Sequence, residues 1–241
     1  MSKIHPTQNK NGNIVKQLVH DACPSVFTVW KKSSMSFQCT DGFTVFNSEG
    51  SLVFRVDNYS RKSPLQTEGL VLMDGVGRAL LTLRPQVLNP DSLLINMSVF
   101  LIEVCLLFEQ ILSMQYQWNG FKGEENGCRK NPVFSMRRRS ILLQRNSEIE
   151  VFMGGSTNNI TAVPDFMIEG SFRRRRCRIR RVTGEVIALI SRKNVINTTI
   201  MLSDDVFTLT VQPGFECKLI MAFVMVMDRI CKKPFSPVLC S

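Results

Sequence analysis

The chain has 241 residues, 44% of them hydrophobic and 24 of them Gly or Pro, which supplies a sizeable core and excludes collagen-like, low-complexity and wholly disordered chains. At about 150 residues per domain, the length fits one large all-β or α/β domain as well as two small ones. The formal charge of +10 is local: 13 Lys/Arg against 4 Asp/Glu, a net of +9, fall between Arg129 and Arg181, and the remaining 17 against 16 nearly cancel, so an anionic partner is expected at one surface.

Residues 1–22 are polar, carry both histidines (His5 and His20) and lack the apolar run of a signal peptide, so they read as a flexible N-terminal tail. Strand signals begin at Ser25. Phe27-Thr28-Val29-Trp30 is short, aromatic and β-branched, and Gly42 to Phe46 follows a Thr-Asp-Gly turn. Hairpin chemistry then appears twice. Val45 to Val56 holds an Asn47-Ser48-Glu49-Gly50 turn between two apolar arms, and 27 residues on Leu72 to Leu83 repeats it with Asp74 in place of Asn47 and Gly77 in place of Gly50. Asn or Asp closes such a turn with its side chain, and Gly takes the positive φ that twisted antiparallel strands need.

Residues 88–111 break the pattern, with three acids and no Lys or Arg in an otherwise basic chain. Glu103 and Glu109 interrupt the segment too often for a membrane span, and it is expected to sit outside the barrel as an atypical apolar insertion. Further strands are expected at Ile141 to Leu143, Glu150 to Met153, Asp165 to Ile168 and Val206 to Val211, with a third, weaker hairpin from Arg180 to Ile190. After the Gln212-Pro213-Gly214 turn, Phe215 to Ile230 reads as a helix. Its uninterrupted apolar stretch, Leu219 to Met227, is about 14 Å long and falls well short of a bilayer's hydrocarbon core. A helix apolar on every side is a buried helix, with Met221, Met225 and Met227 as core filling. The expected architecture is therefore mainly β, an antiparallel barrel closed or nearly closed around a central C-terminal helix.

The sharpest chemical feature is the run Phe172 to Arg181, with seven arginines. On a strand, period two places Arg174, Arg176, Arg178 and Arg180 on one face and Cys177 and Ile179 on the other. Such a row spans roughly 20 Å and matches several phosphates, each open to a bidentate guanidinium grip. Arg137, Arg138 and Arg139 form a second basic strand start that could lie nearby. The competing explanation is a solvated strand whose charge prevents edge pairing. No catalytic constellation is present: there is no G-x-S-x-G, H-E-x-x-H, P-loop or G-x-G-x-x-G. Asp74-Gly75-Val76-Gly77 reads as a hairpin turn, and the adjacent acids Asp204-Asp205 and Glu124-Glu125 point to opposite faces of a strand.

The eight cysteines (Cys23, Cys39, Cys105, Cys128, Cys177, Cys217, Cys231, Cys240) lack ligand spacing, so no metal and no cofactor are expected and the thiols read as reduced. This places the chain in the cytoplasm, at a membrane periphery or in the nucleus, and not in the secretory route. The N-x-S/T triplets at Asn58, Asn96, Asn159 and Asn197 are then chance matches. Ser2 and the penultimate Cys240 give no lipidation signal.

Phe27 to Ser33 with its Trp-Lys-Lys, Asp41 to Phe46, Leu52 to Tyr59 with Val-Phe-Arg-Val-Asp-Asn-Tyr, Leu72-Met73-Asp74, Leu80 to Arg84, Trp118 to Phe121 and Asp205 to Phe215 together resemble the plant LURP-one-related family, from about Cys23 to Ile230. The resemblance implies a twelve-stranded antiparallel barrel around a hydrophobic helix, shared with the C-terminal domain of Tubby and with phospholipid scramblases. It also implies links to plant defence and to membrane-tethered transcription regulators, while the family name supplies no mechanism. Two departures stand out: residues 88–111, which read either as translated intron or as a lipid-touching hairpin, and the arginine cluster. The expected function is a non-enzymatic regulatory module that docks on anionic phospholipid, phosphoinositide by analogy with Tubby, through the two arginine groups. The rivals are a nuclear, nucleic-acid-associated regulator using the same arginines and, third, a scramblase-like protein.

Overall fold

The alternation read in the sequence builds strands whose inward residues are fully buried. Val206–Val211 buries Phe207, Leu209 and Val211, and Gly42–Phe46 buries Phe43 and Val45. The computed structural model describes residues 23–32, 42–57, 69–86, 117–123, 131–139, 148–154, 162–193 and 204–231. In chain order the strands are β1 (Ser25–Lys32), β2 (Gly42–Phe46), β3 (Leu52–Asp57), β4 (Leu70–Asp74), β5 (Ala79–Pro85), β6 (Trp118–Lys122), β7 (Phe134–Arg138), β8 (Ile149–Met153), β9 (Phe166–Ser171), β10 (Arg176–Arg181), β11 (Val186–Arg192) and β12 (Val206–Val211), followed by the helix α1 (Cys217–Ile230). Each strand pairs antiparallel with its sequence neighbours, and β12 closes on β1 from Ser25↔Val211 to Trp30↔Val206. The closed barrel has no unpaired edge.

The three expected hairpins share one construction. Asn47 Oδ1 accepts the backbone N–H groups of Glu49 and Ser51 at 3.1 and 2.8 Å, and Asp74 Oδ1 accepts those of Val76 and Arg78 at the same two distances. Gly50 and Gly77 take φ values of +80° and +91°. All three hairpins carry a register shift just before the turn, at Val45/Phe46, Leu72/Met73 and Ile179/Arg180. Such bulges tighten the right-handed twist on which closure depends.

The helix fills the barrel. Eight consecutive residues, Ile220 to Met227, are buried, and at 3.6 residues per turn they point in every direction, so apolar partners surround them. Phe223 meets Phe134 of β7 edge-on, with centroids 4.9 Å apart, and Phe166 of β9 at 5.9 Å. Gly120 on β6 makes room for this: a Cβ there would lie 2.2 Å from the Phe134 ring. The helix begins two residues later than expected, with Glu216 as its N-cap and Phe215 left outside. No helix among the described residues is long and apolar enough to cross a membrane.

Strict antiparallel order sorts the connections onto two rims. The three hairpin turns just described and the start of α1 lie at one; α1 ends at the other, called here the exit rim, where Lys31 Nζ donates to Asp228 Oδ1 at 2.6 Å. The connection that carries residues 88–111 joins β5 to β6 at the exit rim. That segment, the tail 1–22, Ile141 to Leu143 and Glu124-Glu125 lie outside the described residues. The two strands that this connection joins, β5 and β6, pair as far as Pro85↔Trp118, and the Gln86 N–H donates to the Gln117 carbonyl at 2.8 Å.

Candidate anion-binding surface

The basic run is not one strand. Phe172 to Arg175 form the β9–β10 turn at the exit rim, closed by Arg175 N–H donating to the Phe172 carbonyl at 3.0 Å, and β10 starts only at Arg176. Arg174 therefore leaves the expected row and stands in the turn. Arg176, Arg178 and Arg180 do share the outer face, with Cys177 and Ile179 buried inside. The second group is corrected too: Arg137 and Arg138 end β7 instead of starting a strand, Arg139 follows, and β8 and β9 separate them from β10.

Acidic residues decide which of these arginines are available. On β9, directly across from Arg178, Glu169 receives Arg178 Nε at 2.9 Å on one oxygen and Arg180 Nε at 2.5 Å on the other. Burial pushes the Glu169 carboxyl up, but the guanidiniums of Arg180 and Arg178 outweigh it and hold the group below the ordinary carboxylate range. Arg137 Nε pairs with Glu150 at 3.0 Å and its guanidinium lies 4.7 Å from the Phe152 ring; Arg139 pairs with Glu148 at 3.1 Å and reaches Glu150 at 3.7 Å. Arg138 shares the inner face of β7 with Phe134 and Met136, and its charge acts on the Cys231 thiol at the end of α1. The remaining acid of the basic stretch, Asp165, accepts the Met153 N–H at 2.7 Å. All four acids between Arg129 and Arg181 are thus engaged within the sheet.

What remains is compact. Arg173, Arg174 and Arg176 are exposed and have no acidic partner among the described residues. Three guanidiniums within four positions at one rim replace the expected seven-arginine surface. Beside them, Arg192 at the end of β11 pairs with Asp204 at 3.1 Å.

The arginine between them has a different task, one that a row of outward-facing arginines does not include. Arg175 is 5% exposed and adopts φ +52°, a left-handed conformation uncommon for a side-chain-bearing residue. Its guanidinium lies 4.4 Å from the Phe172 ring centroid and 4.2 Å from that of Phe207, while Nε donates to the Asp204 carbonyl at 2.8 Å. Burial lowers its pKa from the ordinary arginine value, opposed by the charges of Asp228, Asp205 and Asp204. The stack ties the β9–β10 turn to the start of β12 and so fixes where Arg173, Arg174 and Arg176 emerge. A signal existed: period two puts Arg175 on the face of Cys177 and Ile179, where an arginine needs an aromatic or acidic enclosure.

The family model described as LURP-one-related matches residues 25–228. Among curated proteins the chain is similar to protein LURP-one-related 5 of Arabidopsis thaliana, 36% identical over 83% of this chain and 80% of that one. It is also similar to LURP-one-related 12, 32% identical over 80% and 73%, and to LURP-one-related 8, 30% identical over 95% and 98%, both from the same plant. Among solved structures, an X-ray structure of an Arabidopsis thaliana protein superposes with a TM-score of 0.54 at 19% identity, covering 88% of this chain and 93% of that one, a likeness of fold.

Proposed function

The chain belongs to the LURP-one-related family, and we propose that it works as a non-enzymatic regulatory module that docks on anionic phospholipid, phosphoinositide in particular, through Arg173, Arg174 and Arg176. The observation that supports this reading is the sorting of the arginines. Every acid in the basic stretch is engaged within the sheet, and among the described residues three exposed cations without an acidic partner are left at the β9–β10 turn and the first residue of β10. A guanidinium grips a phosphate through two parallel N–H donors, and three within four positions suit a headgroup with several phosphates. Near an anionic leaflet each contributes about 1 kcal/mol. Arg178 and Arg180 add less, because Glu169 already neutralises part of their charge.

Vesicle flotation tests the reading, with phosphoinositide-containing, phosphatidylserine-containing and neutral vesicles run beside duplex DNA at matched ionic strength. The chain should float with phosphoinositide vesicles, and R173Q/R174Q/R176Q should lose about 100-fold in affinity, while R178Q/R180Q should lose less. Tighter binding to duplex DNA at the same salt would favour the nucleic-acid regulator. Undiminished flotation of the triple variant would overturn the proposed site.

A further inference from the structure

Trp30 on β1 is 52% exposed, although Phe27 and Val29 on the same strand are buried. Period two explains the orientation, since Val26, Thr28 and Trp30 line the outer face of β1, but not why a large indole is left in water near the exit rim. Its surroundings supply the context. Opposite it on β12 stands the half-buried Val206. Lys193, just past the end of β11, reaches over β12 and donates from Nζ to Thr28 Oγ1 at 2.5 Å, so an ammonium sits beside the indole on the same face. Along the row at the level of Thr28, the register runs through Thr208 and Ser191 to Arg176. Of the two acids just before β12, Asp204 is paired with Arg192 at 3.1 Å and Asp205 is likewise engaged.

This quadrant of the barrel, β1, β12, β11 and β10, therefore carries an exposed indole at one side, a lysine in the middle and the free arginines at the other. Three strand spacings and a two-residue offset separate Trp30 from Arg176 by about 16 Å. A rim with a cationic arc and one large amphipathic aromatic matches the boundary of an anionic bilayer, where indoles settle at headgroup depth. A single signal gives marginal, reversible attachment, and stable peripheral docking combines two, such as an apolar group with a basic patch.

We infer that Trp30 is the apolar anchor of membrane docking, entering the headgroup layer with Lys193 beside it while Arg173, Arg174 and Arg176 hold phosphates. This rests on the docking reading above and adds an orientation: the exit rim meets the bilayer obliquely along the β1 to β10 quadrant.

The chain has two tryptophans, and the other, Trp118, lies on β6, six strands round the ring from β12 and packed against the core. W118F thus leaves a single reporter at Trp30, and W30F leaves an internal control. Mixed with phosphatidylcholine vesicles containing phosphoinositide and brominated lipid, W118F should show a blue-shifted emission and strong quenching by shallow bromines, and W30F neither. W30A should bind about tenfold more weakly than the parent chain, and R173Q/R174Q/R176Q should abolish both signals. If W118F folds poorly by circular dichroism, fluorotryptophan-labelled parent protein, its two resonances assigned with W30F, gives the same readout. Flotation without any change at Trp30 would overturn the anchor and leave arginine docking standing. Absence of flotation would overturn the docking reading and the anchor with it. A shift at Trp30 that depends on protein concentration without vesicles would show that a second copy covers the indole, and would also overturn the anchor.

Discussion

Replacing Phe223 by alanine is the most direct probe of the filled barrel. The side chain is fully buried at the middle of α1, with Phe134 edge-on at 4.9 Å and Phe166 at 5.9 Å. Removing a buried benzyl group costs about 3 to 5 kcal/mol from lost transfer energy and the cavity left behind. Each aromatic pair adds about 0.5 to 1.5 kcal/mol beyond burial. Phe134 is confined on its far side by the β6 backbone at Gly120, which has no side chain to reposition, so little relaxation into the cavity is expected and the loss should be about 4 kcal/mol. With an m value of about 3 kcal/mol/M, the urea midpoint should fall by about 1.3 M at unchanged m. Leu189→Ala is the control: Leu189 is 43% exposed on the outer face, and its loss should cost under about 1 kcal/mol. Both midpoints can be followed by far-ultraviolet circular dichroism. A Phe223→Ala cost below about 1 kcal/mol, or one no larger than that of Leu189→Ala, would refute the enclosure of α1.

Three further outcomes follow from the same geometry. Gly120→Ala places a methyl group against the Phe134 ring, and should destabilise by about 1 to 3 kcal/mol in urea titration through overpacking. Burial pushes the Cys177 thiol up to about 12, with Cys231 adding to the rise. The folded chain thus keeps a proton that the unfolded chain releases from about pH 9 upward, so this stabilisation is complete below about pH 9 and is lost as pH rises toward 12. Cys177→Ala should flatten the decline in urea midpoint between about pH 8 and about pH 10.5, and peptide mapping of native protein should find alkylated Cys23 but not Cys177. Finally, deleting residues 88–111 should leave the melting temperature within a few degrees of the parent, because β5 and β6 already pair up to the Gln86–Gln117 bond and the shortened connection remains long enough to close. An unfolded deletion variant would show that the segment belongs to the folding unit.

The fold was legible because its signals are local and repeated. Asn47 with Gly50 and Asp74 with Gly77 announce turns whose chemistry allows little else, and an apolar run of helical length at the end of a β chain has few places to go. The site was legible in composition but not in detail. Alternation correctly placed Arg176, Arg178 and Arg180 outside, yet nothing local shows that Glu169 lies across from Arg178, because that depends on the register between β9 and β10. Arg174 was misplaced because Phe172 and Arg175 fold back into a turn held by a stack on Phe207, a contact with a residue more than thirty positions away. Trp30 was visible as a strand residue, but its exposure follows from which face of β1 meets the helix.

The closure of β12 on β1 and the position of α1 impose an order on synthesis. The two strands of the seam lie far apart in the chain and the filling of the barrel comes after both, so a nascent polypeptide on the ribosome has all twelve strands, with apolar inner faces, before it has anything to wrap around. Pairings of such long sequence separation form late, and until residue 230 has cleared the exit tunnel those faces are open to other chains. A premature stop between β12 and α1 would remove the interior of the barrel, not trim its edge.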